Sequence, residues 1–208
     1  MQLAIVGATG KTGLLLCEQA LAKGHKVTAF VRDPAKLGAL ADRLRVVEGT
    51  LDDADALSSA VRGADAVVSA LGTVDRKPNT VLSDGTRRIV RAMEEEGVLR
   101  LAAITSLGCG ASRDQVNSRL MRFLIKTVAK EIWADKDRQE DVIRASELDY
   151  LIVRPGGLTD KPARRSWTIM REGDAQKGRQ MIARADVAAF ILEKLESGEL
   201  GREALTVF

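Results

Sequence analysis

The stretch LAIVGATGKTG, residues 3–13, decides the fold because it joins an apolar run to a glycine-rich loop and then to a helical pattern. Three glycines, Gly7, Gly10 and Gly13, recur at every third position of the loop. In a strand–loop–helix unit, the first glycine permits a tight turn, the second lets the backbone approach a pyrophosphate, and the third lets helix and strand pack closely. The stretch therefore predicts a dinucleotide-binding loop.

Short apolar runs alternate with helical patterns along the rest of the chain. The apolar runs predict strands at 3–6, 27–31, 45–47, 66–71, 101–105, 150–153 and 204–207. Helical patterns cover 13–23, 54–61, 79–96, 116–145 and 186–196, and a further short strand is expected at 167–170. Strands alternating with helices indicate right-handed βαβ units. The fold class is therefore α/β, a single Rossmann-type doubly wound parallel sheet with helices on both faces.

The composition is typical of such a sheet in one domain spanning residues 1–208. Hydrophobic residues make up 45% of the chain and aromatic residues only 3%, so the core must be built from Leu, Val, Ile and Ala. Runs such as AIV and AVV are apolar at consecutive positions, as in strands that are buried on both faces.

Charge and cysteine content limit which binding partners and which cellular compartment we expect for the protein. A net charge of +3 is weak evidence for nucleic acid, since a phosphorylated cofactor would account for it equally well. The two cysteines, Cys17 and Cys109, form no CxxC motif, which is typical of a reduced protein, although a disulfide between them stays open. The N-terminus lacks signal-peptide features, and no apolar run has the length of a membrane span. We expect a cytoplasmic monomer or weak homo-oligomer with no nucleic-acid or membrane partner.

Arg32 at the end of the second predicted strand bears on the choice of dinucleotide. An acidic residue near this point accepts hydrogen bonds from the ribose 2′-hydroxyl in NAD-selective proteins. The guanidinium of Arg32 instead suits a 2′-phosphate, and Lys36 and Lys11 add positive charge. Asp33 should point to the other side if the chain is still extended. The pattern favours NADP(H) over NAD(H).

A second basic feature lies in the long helical region. Arg119, Arg122, Lys126 and Lys130 follow one another at spacings of three and four residues, which places them on one helix face. Such a face is either simply solvated or a docking surface for an anionic partner.

Several motifs together resemble a known family. They are GATGKTG at 7–13, VRDPAKL at 31–37, ADAVVSALGT at 64–73, SDGTRRIVRAMEEEGV at 83–98, AAITS at 102–106 and SELDYLIVRPGGLTD at 146–160. With these motifs the chain resembles the atypical short-chain dehydrogenase/reductase family, in its NmrA-like NAD(P)-binding branch. It is closest in size and pattern to the flavin reductases of that branch.

The resemblance implies contacts with the cofactor at the carboxyl ends of the strands. It implies that the pyrophosphate is held by Gly7, Thr9, Gly10, Lys11 and Thr12. It implies that Arg32 and Lys36 hold the 2′-phosphate, and that adenine is flanked by Thr50, where relatives commonly carry aspartate, and Leu51. Further contacts, mainly on the nicotinamide side, are implied at Leu71, Gly72, Thr73, Thr105, Ser106, Pro155, Gly156 and Gly157. Gly156 and Gly157 replace a histidine or a second proline of the flavin reductases, which suggests a more open pocket.

The catalytic pair of the wider family is missing. Ordinary short-chain dehydrogenases use a Tyr-x-x-x-Lys pair, in which the lysine lowers the pKa of the phenol. The sole tyrosine, Tyr150, is not followed by lysine at that distance, and the sole histidine, His25, lies before the second strand. Ser106 is the candidate catalytic residue, as a hydrogen-bond donor near the carboxamide or the substrate, or it is merely a strand-end hydroxyl. Cys109 is expected to be an inert loop cysteine.

Without a tyrosine acid, hydride transfer to an acceptor that needs little proton donation remains. The sequence therefore predicts an NADPH-dependent oxidoreductase that acts on a flavin, a quinone or a similar flat acceptor. A non-catalytic NADP(H)-binding sensor is the alternative. An epimerase or dehydratase of nucleotide sugars is a third, but it needs an acid–base residue that the chain lacks.

Overall fold

The structure, a computed structural model, describes residues 1–73, 80–175, 180–198 and 200–208. The strands within these ranges are β1 Gln2–Val6, β2 Lys26–Val31, β3 Arg45–Glu48, β4 Ala66–Ser69, β5 Arg100–Ile104, β6 Asp149–Pro155, β7 Gly157–Thr159, β8 Ile169–Met170, β9 Met181–Ala183 and β10 Glu203–Val207. The α-helices are α1 Lys11–Ala22, α2 Ala54–Val61, α3 Val81–Glu95, α4 Arg119–Lys126, α5 Lys130–Ala145 and α6 Arg184–Glu196. Segments of 3₁₀ helix cover Pro34–Arg43, which is kinked at Gly38, and Gly110–Gln115.

The main sheet has the strand order β3-β2-β1-β4-β5-β6-β10-β8. Every neighbouring pair is parallel except β10 with β8, and β7 pairs with β9 in a separate two-stranded sheet. Helices α1 and α6 pack on one face of the main sheet, while α2, α3 and α5 pack on the other. The predicted doubly wound parallel sheet is confirmed.

Strand β1 shows why the sheet strands are apolar throughout. Leu3 and Ile5 point into the core beneath α1 and α6, whereas Ala4 and Val6 point into the core beneath α2, α3 and α5. All four side chains are buried. Because successive side chains alternate between faces, a strand covered on both sides must be apolar at every position.

The long helical region predicted at 116–145 is wrong as one element, because α4 and α5 are separated by residues 127–129. Thr127 leaves helical geometry with φ −120° and ψ −76°, and its hydroxyl donates to the carbonyl oxygen of Phe123 at 2.8 Å. Two β-branched residues, Thr127 and Val128, weaken the helix at this point. Lys130 therefore belongs to α5, and the predicted basic face holds as a single helix face only for the members on α4.

Sequence patterns also left out the short strands β7 and β9, which have only three residues each. The fourth strand ends at Ser69, two residues earlier than predicted. No helix among the residues described is long and apolar enough to cross a bilayer.

Candidate active site

The candidate site lies at the edge of the main sheet where its parallel strands end. The residues assigned to the cofactor follow the carboxyl ends of β1, β2, β3, β4, β5 and β6. The strand order reverses direction at β1, between β2 and β4, and ligands of open parallel sheets bind at such a switch point. The fold therefore gathers at one edge segments that are far apart in the sequence.

The glycine loop between β1 and α1 is shaped by close backbone contacts. Gly7 has φ +82°, and a Cβ there would lie 2.8 Å from the carbonyl oxygen of Ala70 after β4. The amide of Gly10 donates to the carbonyl oxygen of Gly7 at 3.0 Å, and a Cβ on Gly13 would overlap that same carbonyl oxygen. The predicted roles of Gly7 in the turn and of Gly13 in packing are thus visible in the backbone.

The same loop fits an anion. Helix α1 begins at Lys11, and its N-cap is Gly10, which has no side chain to occupy the first-turn amides. A bare helix N-terminus of this kind offers N–H donors and the positive end of the helix dipole to a phosphate. The exposed ammonium of Lys11 lies 2.8 Å from the carboxylate of Asp160, so it forms an ion pair with the residue that follows β7.

The end of β2 separates the roles of Arg32 and Asp33. Asp33 caps the following 3₁₀ helix by accepting from the amide of Ala35 at 3.2 Å, and it lies 3.4 Å from the ammonium of Lys36. Arg32 is exposed and makes no ion pair with any residue that the structure describes. A cation without a protein partner beside an engaged aspartate suits a phosphate better than a ribose hydroxyl.

Leu51, after β3, and Leu71, after β4, meet at the start of α3. A Cβ on Gly85 would lie 2.7 Å from a methyl carbon of Leu51 and 3.2 Å from one of Leu71. The glycine thus lets both leucines pack against the helix. Thr50 is exposed, and Thr73 is the last residue that the structure describes before residue 80.

At the end of β5, the structure turns Thr105 inward. Thr105 is buried, and its hydroxyl donates to Glu140 on α5 at 2.8 Å. Its side chain therefore faces a protein carboxylate, and only its backbone remains for a role at the site. Ser106, the candidate catalytic residue, is half-buried at the next position, where its hydroxyl role stays a prediction.

Lys136 on α5 is a residue that the sequence reasoning missed. Its ammonium donates to the carbonyl oxygen of Thr105 at 3.1 Å, directly at the end of β5. Desolvation lowers the pKa of Lys136 below its ordinary value. Ile132 stands four residues before it, where a Tyr-x-x-x-Lys pair would have its tyrosine. A search for lysine on the helix after the fifth strand, rather than after a tyrosine, could have found it.

A buried charge network, formed by Thr105, Glu140 and Arg154, lies behind this lysine. Arg154 and Glu140 are 1% and 2% exposed, and the guanidinium donates twice to the carboxylate, at 2.9 and 2.5 Å. Burial opposes the charge of Arg154, but the hydrogen bond and charge of Glu140 prevail and raise its pKa above the ordinary value. A Cβ on Gly110 would lie 2.8 Å from both partners, so the network is also closed from the loop after β5.

Cys109 borders the network but has no sign of reactivity. It is fully buried, and burial raises the pKa of its thiol to about 12. The thiol is therefore protonated at neutral pH, which agrees with the expected inert loop cysteine. Cys17 is also a free, buried thiol, so the disulfide left open by the sequence is absent.

The Gly156-Gly157 turn after β6 is packed against a neighbouring strand. The amide of Gly157 donates to the carbonyl oxygen of Gln180 at 2.8 Å, and a Cβ on Gly156 would lie 2.5 Å from that oxygen. A Cβ on Gly157 would overlap the sulfur of Met181. The expectation that Gly156 and Gly157 leave a more open pocket is wrong on the sides that their Cβ atoms would face. The carbonyl oxygen of Gln180 and the sulfur of Met181 already occupy that space.

A cavity of about 290 Å³ adjoins this turn through Met181. Its walls combine aromatic and cationic side chains, among them Lys161, Arg164, Trp167 and Phe208. Buried Asp186 fixes the loop over it by accepting from the amides of Arg164 and Arg165. A cavity of this kind can take a flat ligand in part, since it is near the lower limit for small-molecule sites.

The chain is similar to known NAD(P)H-binding proteins. A family model described as NAD(P)H-binding matches residues 7–197. The oxidoreductase AgnL4 of Paecilomyces divaricatus is 29% identical over 75% of this chain and 66% of its own length, so the match leaves about a third of that relative uncovered.

Two solved structures extend the comparison. ChuY of Escherichia coli O157:H7, described as an anaerobillin reductase, is 28% identical with a TM-score of 0.83, covering 100% of this chain and 97% of that one. A short-chain dehydrogenase/reductase from Veillonella parvula DSM 2008, solved with NADP, is 21% identical with a TM-score of 0.84, covering 99% of this chain and 93% of that one. The latter supports the likeness of fold alone.

Proposed function

Since the chain belongs to the NAD(P)H-binding family, we propose that this NAD(P)H-dependent reductase passes hydride from NADPH to a flavin, a quinone or a similar flat acceptor. The observation that carries the proposal is the pairing of Lys136 at the end of β5 with Ile132, rather than a tyrosine, four residues earlier. The lysine half of the usual pair is present, and the acid half is missing. Reduction of an ordinary carbonyl needs that acid, whereas flavins and quinones can take their proton from water.

The residues at the sheet edge fit NADP(H) as follows. The amides at the start of α1 would hold the pyrophosphate in the cradle that Gly7 and Gly13 shape. Arg32, with Lys36, would hold the 2′-phosphate, and Leu51 would lie beside the adenine. The bound dinucleotide supplies a hydride from its reduced nicotinamide ring. These placements rest on the glycine contacts and on the guanidinium of Arg32, which forms no ion pair with any residue that the structure describes.

Lys136 would act next to the nicotinamide half. Its ammonium is held by the carbonyl oxygen of Thr105, at the strand end that adjoins Ser106. From there it can donate to ribose hydroxyls or stabilise negative charge that develops on the acceptor. Ser106 would donate a hydrogen bond that orients the carboxamide or the acceptor. Neither role requires either side chain to release a proton.

Steady-state oxidation of NADPH tests the proposal. FMN, riboflavin and small quinones are offered in one set, and aldehydes and ketones in another. We expect turnover with at least one flavin or quinone, little with the carbonyl compounds, and loss of that turnover in Lys136→Met. Efficient carbonyl reduction would contradict the acceptor class. Binding of NADPH without turnover of any acceptor would instead indicate the sensor that the sequence leaves as an alternative.

A further inference from the structure

Helix α4, which the reductase proposal does not use, carries an unusual exposed surface. Leu120 and Phe123 are 68% and 61% exposed, and none of the eight residues of α4 is buried. Met121 and the nearby Val128 are exposed as well, at 42% and 47%. Large apolar side chains scattered singly are normal on a protein surface, but a cluster on one short helix marks an interaction site.

The opposite side of α4 is anchored to the body of the protein, so the exposure is not simply the result of an unattached helix. Ile125 reaches Gly108 after β5, and Leu124 is half-buried. The guanidinium of Arg122 donates to the carbonyl oxygen of Val116. The helix is thus held with Leu120 and Phe123 facing outward.

Positive charge surrounds these apolar side chains. Residues 115–130 contain no Asp or Glu, yet they include four cations: Arg119, Arg122, Lys126 and Lys130. All four are exposed, and within the ranges described none of them forms an ion pair. We call this combination the α4 surface: Leu120, Met121, Phe123 and Val128 with the four cations.

We propose that the α4 surface docks reversibly on an anionic lipid membrane. Apolar side chains that enter the headgroup boundary, flanked by cations in a stretch (115–130) that holds no carboxylate and is bordered by Asp114 and Glu131, match the chemistry of peripheral membrane helices. A second copy of the chain is a poorer occupant, because a two-fold contact through α4 would bring like-charged surfaces together. The sequence-based expectation of no membrane partner considered only spanning segments, which this surface does not require.

Sedimentation of the purified chain with lipid vesicles tests the proposal without cofactor or acceptor. Vesicles of phosphatidylcholine mixed with phosphatidylserine are compared with pure phosphatidylcholine vesicles. We expect binding to the anionic vesicles only, and weaker binding as salt is raised, since the attraction is screened. Equal binding to both lipids, or no binding to either, would overturn the proposal.

Matched variants locate the contact. Leu120→Ser with Phe123→Ser should weaken binding at least tenfold, and Arg119→Gln with Lys126→Gln roughly tenfold to thirtyfold. The apolar control is Leu99→Ser at another site that is 57% exposed. The charge control is Lys26→Gln with Arg43→Gln, which removes the same net charge elsewhere. Controls that weaken binding as much as the α4 variants would overturn the assignment to α4.

Two further measurements distinguish a membrane from other possible occupants of the α4 surface. Circular dichroism and thermal melting establish that each variant is folded. A wild-type dimer in vesicle-free ultracentrifugation that the Leu120→Ser, Phe123→Ser variant abolishes would assign the surface to a second copy instead. Loss of acceptor reduction by that variant in the absence of vesicles would assign it to the acceptor site. Unchanged mass and unchanged reduction, together with lost vesicle binding, support the membrane.

Discussion

The glycine loop at residues 7–13 and the charge network of Thr105, Glu140 and Arg154 lie at the same sheet edge but are built in opposite ways. The loop is made of backbone: its shape depends on Gly7 and Gly13, where a Cβ would meet main-chain atoms. The network is made of buried side chains from α5, from β6 and from Thr105, the residue after β5. A backbone-built site leaves a motif in the sequence, whereas a side-chain network joins positions whose spacing carries no pattern.

The largest expected effect comes from breaking the network. Glu140→Ala removes both hydrogen bonds that the buried guanidinium of Arg154 makes to a carboxylate and leaves it only the exposed Glu172, 3.6 Å away, which should lower the free energy of unfolding by about 3–5 kcal/mol. The double variant Glu140→Leu, Arg154→Met should recover most of the loss, because no charge is then buried alone. Urea unfolding measures both. A loss below about 1 kcal/mol in the single variant would mean that the pair behaves as a solvated one.

Lys136→Met tests whether the lysine next to the charge network takes part in the reaction. Turnover should fall by about two to three orders of magnitude, as when a preorganised donor is removed, and by more than the dissociation constant of NADPH rises, since Lys136 can also donate to the ribose. Lys26→Met, an exposed lysine remote from the site, is the matched control. Equal losses in the two variants would remove Lys136 from the reaction.

Lys136 should also make the stability of the wild type depend on pH, and Lys136→Met is the reference that isolates this effect. In the wild type the pKa of Lys136 lies below its ordinary value of 10.5. Between the folded and unfolded pKa values the unfolded chain binds more protons, so stability rises with pH in that window. The free energy of unfolding of the wild type, relative to Lys136→Met, should therefore increase as the pH is raised toward 10.5. A decrease would show that the folded protein favours the charged lysine.

Arg32→Ala removes the side chain that would add a contact with the 2′-phosphate to the contacts made by the backbone of the glycine loop. Removing a charge-assisted contact of about 1.5–3 kcal/mol should weaken NADPH binding roughly tenfold to 150-fold and leave NADH nearly unchanged. Fluorescence titration with both dinucleotides measures this, with Arg43→Ala as the control. Equal losses for NADPH and NADH would contradict a 2′-phosphate contact.

Gly13→Ala should lower the free energy of unfolding by about 1–3 kcal/mol, less than Glu140→Ala does, because the added methyl group overlaps the backbone of Gly7. NADPH binding should weaken in parallel, since the loop must shift. Gly201→Ala is the control, because a Cβ there meets no atom within 4 Å. If both substitutions were equally tolerated, the loop would owe its form to something other than close packing.

The same contrast explains how far the sequence predicted the structure. The parallel sheet and the positions of Gly7, Gly13 and Arg32 followed from apolar runs and a glycine spacing, since both record local geometry. Lys136 was missed because the search began from a tyrosine, and Ile132 occupies that place. The break between α4 and α5 was missed because helical periodicity continues across it.

Two other differences arose from tertiary contacts. Thr105 was expected near the nicotinamide, but its hydroxyl is committed to Glu140, 35 residues later in the chain. Gly156 and Gly157 were interpreted as an opening toward the acceptor, whereas the backbone of Gln180 and the side chain of Met181 occupy that space. None of these three partners is adjacent in sequence to the residue that it contacts, so no local sequence pattern could reveal the contacts.

The pH profile of single-turnover NADPH oxidation by a flavin or quinone tests the central claim most directly. If no protein group must supply a proton, the rate constant should vary by less than about twofold between about pH 6 and pH 8. A bell-shaped profile, or a tenfold fall per pH unit within that range, would reveal an acid in the protein and contradict the account.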